Sequence, residues 1–291
     1  MFTAKCPAKI NLSLDITGIR DNGYHEVKMI MQSVSLYDTV TITKEGHGNI
    51  ALECNLPYVP CDSRNIAYKS AYEFFAFTGI KNDGVKIFMD KKIPVSAGLA
   101  GGSSNAAGVL LLLDKIYNTK LNKTELMEIG LKLGADIPFC LFGQTALACG
   151  IGERLTAVRG LTDCYILLAK PSSPLSTGVV YREYDKQRSI FHPFTDEIIS
   201  FLEKGDLYGV SKRMYNVLEN ISIKLCPVIV KIQEIMREFS PLGVMMSGSG
   251  PTSFAIFDNE EKAKECAANL KGIAANIDIV KPVEGIICQC N

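Results

Sequence analysis

Residues 94–108 read Pro-Val-Ser-Ala-Gly-Leu-Ala-Gly-Gly-Ser-Ser-Asn-Ala-Ala-Gly. Gly98, Gly101 and Gly102 free the backbone to take positive φ and to approach a ligand closely. Ser103, Ser104 and Asn105 place hydroxyl and amide groups where an apolar run to Tyr117 begins, so a helix over 101–117 is expected behind the turn. A helix start presents unpaired N–H groups and about half a positive charge, which makes phosphate the expected ligand. The loop lacks the lysine of GxxxxGK[ST] and does not follow GxGxxG in a strand–helix unit, so neither a P-loop nor a dinucleotide fold is expected. Read alone, the segment is equally a Gly/Ser turn that caps a helix.

On either side of this loop, strands and helices intermix. Ile10 to Ile16 and Thr39 to Thr43 alternate apolar and polar residues, as half-buried strands do, with a turn over 20–23. Residues 65–78 suit a buried helix and Val85 to Met89 a strand. A second helix is expected over about 123–133, with Gly134 at its C′ position. Beyond a composition change at 150–163, Tyr165 to Ala169 reads as a strand and several helices follow over 195–239. A Gly/Ser turn then runs into a strand by Phe257, and a charged amphipathic helix covers 259–271. The pattern predicts an α+β protein of two lobes, 1–155 and 156–291, with a cleft between them.

Composition excludes several function classes. The 291 residues carry 31 Lys+Arg against 31 Asp+Glu, and this balance lacks the basic footprint of nucleic-acid binding. No apolar run approaches the roughly 20 residues that span a bilayer, and the opening MFTAKCPAKINLSLDI has no long apolar core, so neither membrane nor leader is expected. The 10 cysteines form no CxxC pair, and His25, His47 and His192 lack zinc-site spacing, which predicts free thiols in a reducing cytoplasm and no bound metal. The tail Cys288-Gln289-Cys290 stays open as a metal or redox pair.

Two further segments accompany the glycine loop: PAKINLSLDITGIRDNGYHEV at 7–27 and MSGSGPTSFAIF at 246–257. Together the three resemble the motifs of the GHMP kinases (galactokinase, homoserine, mevalonate and phosphomevalonate kinases), and LGADIPFC at 133–140 extends the likeness. The opening PAKINL and the Gly-Tyr-His at 23–25 are most like the branch that phosphorylates a hydroxyl of a cytidyl-diphosphate-linked methylerythritol. The resemblance implies the two-lobed GHMP fold, ATP with Mg²⁺ carried by the nucleotide, and small-molecule substrates. It makes Lys9 and Asp136 the catalytic pair, with Asp136 as proton acceptor. It gives the nucleotide Pro94, Val95, Ser96, Ala97, Gly98, Leu99, Ala100, Gly101, Gly102, Ser103 and Ser104, with Asn65 and Lys91. Asn11, Tyr24, His25, Thr177 and Tyr181 fall to the substrate, His25 reading the base and Tyr24 stacking on it. Ser103 is also a candidate oxygen for the metal.

Without the resemblance, Lys9 is a surface ammonium on an edge strand, Asp136 a turn former, Asn65 a helix cap, and Tyr24-His25 a hairpin tip. Three residues depart from the family pattern: Ala100 stands where glycine is usual, Ser96 where small or Gly residues are common, and Met31 where some relatives carry an aromatic near the substrate. The alternatives are another GHMP kinase, of mevalonate or homoserine type, or a nucleotide sensor without turnover. A β-branched residue at Gly101 is expected to block the nucleotide and spare the fold. Monomer and homodimer are not distinguished.

Overall fold

A computed structural model of the protein describes residues 1–21, 23–46, 48–187 and 191–290. The first part of the chain runs β1 (Phe2–Ile19), β2 (His25–Lys44), β3 (Ile50–Cys54), α1 (Ile66–Thr78), β4 (Val85–Asp90) and α2 (Gly101–Tyr117). It continues through α3 (Lys123–Leu131), α4 (Ile137–Phe142), β5 (Ala146–Gly150) and β6 (Arg154–Ala157). Then come β7 (Tyr165–Lys170), α5 (Thr177–Tyr184), α6 (Thr195–Lys204), α7 (Leu207–Arg213), β8 (Tyr215–Asn216), α8 (Glu219–Leu225) and α9 (Val228–Glu238). The chain closes with β9 (Gly243–Met246), β10 (Ser253–Phe257), α10 (Glu260–Asn269), β11 (Asn276–Val280), β12 (Pro282–Val283) and β13 (Ile287–Cys290).

Two sheets organise these elements. A nine-stranded sheet is built on β13-β1-β2-β4-β3, with β5 and β12 also on β2, β6 on β5, and β8 on β1. A four-stranded antiparallel sheet runs β11-β7-β10-β9. The first sheet takes in the strands up to Ala157, the second begins at Tyr165, and the tail from Pro282 returns to pair with β2 and β1. Strand β7 explains its own unbroken apolar run. Ile166 and Leu168 face one core, while Leu167 and Ala169 face another beneath α9 and α10, so the strand is buried on both faces.

Local signals set the helix limits. Asn65 caps α1 by accepting from Ala67 N–H at 2.9 Å, and Asn122 with Glu125 forms a capping box at α3. The expected C′ role of Gly134 is not taken. Helix α3 ends at Leu131, and the N–H groups of Leu133 and Gly134 both return to Gly130 O in a tighter turn, so no left-handed residue is needed.

The alternation in β1 does not mean half burial. From Cys6 to Ile16 every residue is buried, polar ones included. Ala4 and Cys6 belong to the core under α1, α2 and α4, Ala8, Ile10 and Leu12 to the core of the second sheet, and Leu14 and Ile16 to the first again. All these positions are even, so the change of face is made by the register shifts at Pro7/Ala8 and Asn11/Ser13. Between the shifts, Lys9 and Asn11 turn toward α4 and the first core. Beyond them, Ser13 reaches Thr195 at 2.7 Å and Asp15 reaches His192 at 2.8 Å. Nor is β1 an edge strand, since β2 and β13 flank it.

Candidate active site

Three segments far apart in sequence converge on a cleft of about 560 Å³, a size suited to a small-molecule ligand. The Lys9 N–H donates to Leu99 O at 3.1 Å, and Ser247 Oγ donates to Gly98 O at 3.0 Å. A Cβ at Gly248 would stand 3.3 Å from Lys9 Nζ, so a glycine there lets the third turn close on the lysine. Asn216 holds that turn: its Nδ2 donates to Met246 O at 2.9 Å and Gly248 O at 2.8 Å. Glu219 accepts from Met246 N–H, and burial pushes its carboxyl above the usual range.

Lys9 is buried and donates to Asn11 Oδ1 at 2.7 Å, and its Nζ lies 4.0 Å from Asp136 Oδ2. Asp136 precedes α4 in right-handed helical geometry and makes no cap bond with that helix. Its side chain is 32% exposed. A carboxylate not used by its own helix, open to the cleft and beside a buried ammonium, is equipped to take a proton from a bound hydroxyl. Its charge, after burial, helps push the Tyr181 phenol well above its ordinary range.

The glycine loop meets the cleft along most of its length. Pro94, Val95, Ser96, Ala97, Gly98, Ala100, Gly101, Gly102 and Ser103 line it, while Leu99 and Ser104 are buried behind. Ala100 sits at the N-cap of α2 with φ of 55°, supplies no side-chain cap, and no acidic residue follows in the first turn. The helix start therefore offers its N–H groups and positive end to an anion.

Gly101 requires a correction. Its Cβ would lie 2.8 Å from Ile93 Cγ2, so glycine there serves packing, and a β-branched residue would disturb the fold. Gly102 is the position with open space, its Cβ meeting nothing nearer than Ile66 Cγ2 at 3.7 Å.

Asn65 and Lys91 line the same cleft, but both carry structural duties. Asn65 is the α1 cap. Lys91 Nζ donates to Asp38 Oδ2 at 2.5 Å and Asn105 Oδ1 at 2.9 Å, all three groups being buried. Asp38 also accepts from Asn105 Nδ2 at 3.0 Å and from the N–H groups of Lys92 at 2.7 Å and Ile93 at 2.8 Å, pinning the entrance to the loop.

At the other end, Thr177 and Tyr181 line the cleft, and Thr177 shares a 2.8 Å hydrogen bond with Ser249. His25 stands behind Tyr181, with ring centroids 4.8 Å apart, and Tyr24 is 58% exposed on the hairpin tip. Asn11, expected beside Tyr24 and His25, is instead buried against Lys9, where its Nδ2 faces Met29 Sδ at 3.3 Å. Met31 lies wholly in the core, while Met29 and Met89 are the methionines that reach the cleft. Leu14, Val27, Met29 and Ile151 form apolar wall that motif reading missed, as did Tyr58, Val59 and Pro60. Leu14, Val27 and Met29 read as ordinary core residues, since in β1 and β2 a cleft-facing apolar side chain has the same pattern as a core one. His47 lies outside the described residues, as does the Cys290 side chain on which a paired tail would depend.

The family model named GHMP kinases N terminal domain matches residues 65–144, and that named GHMP kinases C terminal matches residues 186–274. A 4-diphosphocytidyl-2-C-methyl-D-erythritol kinase of Clostridium botulinum (strain Alaska E43 / Type E3) is 46% identical over 279 residues, covering 96% of this chain and 99% of that one. A crystal structure of 4-(cytidine 5'-diphospho)-2C-methyl-D-erythritol kinase superposes with a TM-score of 0.81 at 30% identity, covering 97% of this chain and all of the other. Homoserine kinase from Cytophaga hutchinsonii shares the fold, with a TM-score of 0.79 at 17% identity, over 99% of this chain and 97% of that one. Matched in order along both halves, and nearly half identical to a relative over almost its whole length, the chain belongs to the GHMP kinases.

Proposed function

We propose that the protein transfers the γ-phosphoryl group of ATP to the 2-hydroxyl of 4-diphosphocytidyl-2-C-methyl-D-erythritol, a step in non-mevalonate isoprenoid precursor synthesis. One observation carries the reaction class: the Lys9–Asp136 pair and the uncapped start of α2 face a single cleft. Phosphoryl transfer asks a protein mainly for positioning and electrostatics. Asp136 accepts the hydroxyl proton as the oxygen attacks phosphorus, Lys9 stabilises the charge that develops, and the α2 N–H groups hold the phosphates while ADP leaves. The choice of a cytidyl substrate rests on the relatives at 46% and 30% identity, because the homoserine kinase likeness at 17% speaks for the fold alone.

Among the described residues, no group of three or more His, Cys, Asp and Glu side chains could hold a metal. The cleft offers the Asp136 carboxylate and the Ser103 hydroxyl, which suits Mg²⁺ held chiefly by nucleotide phosphates and water. When bound, the metal neutralises charge on the transferring phosphate. The reading divides the chain into a nucleotide-binding lobe, 1–155, and a substrate lobe, 156–291. It also places the enzyme in the cytoplasm, where buried thiols such as Cys140, pushed up to about 12 by desolvation, stay reduced and unreactive. No helix among the described residues is long and apolar enough to cross a membrane.

The deciding experiment supplies purified protein with ATP, Mg²⁺ and one of three acceptors: the cytidyl substrate, mevalonate or homoserine. ADP release is expected with the first. Release with mevalonate or homoserine instead would replace this reading by the corresponding kinase.

A further inference from the structure

His25 Nε2 lies 2.6 Å from Asp185 Oδ1, a contact from the β1–β2 hairpin to the residue that ends α5. A carboxylate only accepts hydrogen bonds, so Nε2 carries the hydrogen and, in the neutral ring, Nδ1 is left as an acceptor. The His25 side chain is 12% exposed. Its ring is wedged by Tyr181 at 4.8 Å and, edge-on, by Tyr184 at 6.2 Å. Two aromatic neighbours and one carboxylate thus constrain both the plane of the imidazole and its tautomer.

We infer that Asp185 is the positioning residue that fixes His25 as a hydrogen-bond acceptor and so sets the preference for a cytosine base. The inference rests on the function proposed above and on the base-reading place that the family resemblance gives His25. Cytosine carries an amino donor at C4 where uracil carries a carbonyl acceptor. An imidazole nitrogen held as an acceptor pairs with the first and repels the second. Without Asp185 the ring is released to its other tautomer, whose Nδ1–H favours uracil. Asp185 acts through His25 and does not itself line the cleft.

The test compares wild type, Asp185→Ala and Asp185→Asn, each also in a His25→Ala background, in steady-state assays with the cytidyl substrate and its uridyl analogue. Asp185→Ala should raise KM for the cytidyl substrate roughly tenfold, the scale of one lost substrate hydrogen bond. Its kcat and its KM for ATP should stay within about twofold, and discrimination against the uridyl analogue should fall by about the same factor. Asp185→Asn should recover most of the loss, because its amide oxygen still accepts from Nε2–H. In the His25→Ala background, Asp185→Ala should add nothing. Independently of any substrate, ¹⁵N spectra of the histidine-labelled protein should show His25 as the Nε2–H tautomer in wild type and a mixture in Asp185→Ala. An Nδ1–H tautomer in wild type, an unchanged uridyl discrimination, or a full effect of Asp185→Ala without His25 would each overturn the proposal. Failure of the wild type to phosphorylate the cytidyl substrate at all would overturn the functional reading and this inference with it, and the tautomer spectra would still report the Asp185–His25 geometry.

Discussion

Lys91 and Asp38 meet at 2.5 Å with the Asp38 side chain wholly buried, whereas Lys9 and Asp136 stand 4.0 Å apart with Asp136 32% exposed. Both pairs border the same cleft and draw on the same two residue types. Asp38 is saturated by Lys91, Asn105 and two backbone N–H groups. The Asp136 side chain makes no cap bond to the helix it precedes and meets its lysine at the limit of an ion pair. A charge with every lone pair engaged fixes geometry, and a charge with capacity to spare can accept a proton. The difference separates the pair that holds the glycine loop from the pair to which the proposed function gives the transfer.

The largest effect should come from breaking the closed pair. Asp38→Asn leaves the Lys91 ammonium buried beside a neutral amide, and loss of one partner of a buried ion pair costs about 3–5 kcal/mol. Urea unfolding should show that loss as a lower midpoint at an unchanged slope. A cost under about 1 kcal/mol would mean that Lys91 finds water and that the two pairs are more alike than their geometry.

The open pair should answer in rate rather than stability. Asp136→Asn is expected to lower kcat by about 10²-fold or more, while the unfolding midpoint and ATP affinity stay near wild type. Retained turnover in a folded Asp136→Asn protein would remove the proton acceptor from the scheme.

Two neighbouring glycines sharpen the contrast between scaffold and site. Gly101→Val drives a side chain into Ile93 and should cost about 1–3 kcal/mol of stability, as overpacking does. Gly102→Val has open space and should fold normally, yet weaken ATP by roughly tenfold or more by filling the approach to the α2 N–H groups. Calorimetric titration of ATP beside thermal unfolding separates them, and equal behaviour of the two variants would cancel the distinction.

The smallest effect belongs to Ala100, held at φ of 55°. A left-handed non-glycine residue costs roughly 1–2 kcal/mol, and glycine returns about 0.5–1 kcal/mol of that as backbone entropy. Ala100→Gly should therefore stabilise the protein by about 0.5–1 kcal/mol with ATP affinity unchanged. A lower melting temperature would show that the Ala100 methyl packs usefully in the loop.

Much of the architecture is written locally. The α2 span follows from Gly101 to Tyr117 as read, Asn65 caps α1, and the two-lobed α+β class follows from the mixture of periodicities. These are consequences of dihedral preference, capping chemistry and side-chain period, each settled within a few residues of chain. The family resemblance, through PAKINL and LGADIPFC, added the Lys9–Asp136 pairing, which no local rule joins across 127 positions.

What only the tertiary structure decided is which way the side chains face. The alternation in β1 looks the same whether Lys9 points to solvent, to α6 or to Asp136. Register shifts at Pro7/Ala8 and Asn11/Ser13 choose the last, and they arise from pairing with β2 rather than from any residue in β1 alone. Asn11 at Lys9, Met29 in the cleft in place of Met31, Gly101 against Ile93, and Asn216 under the third turn are further products of distant packing. Sequence determines which groups are available because chemistry belongs to the residue. The partner each one meets is decided by the cores on either side of a buried strand, because there the burial of one face is won against the burial of the other.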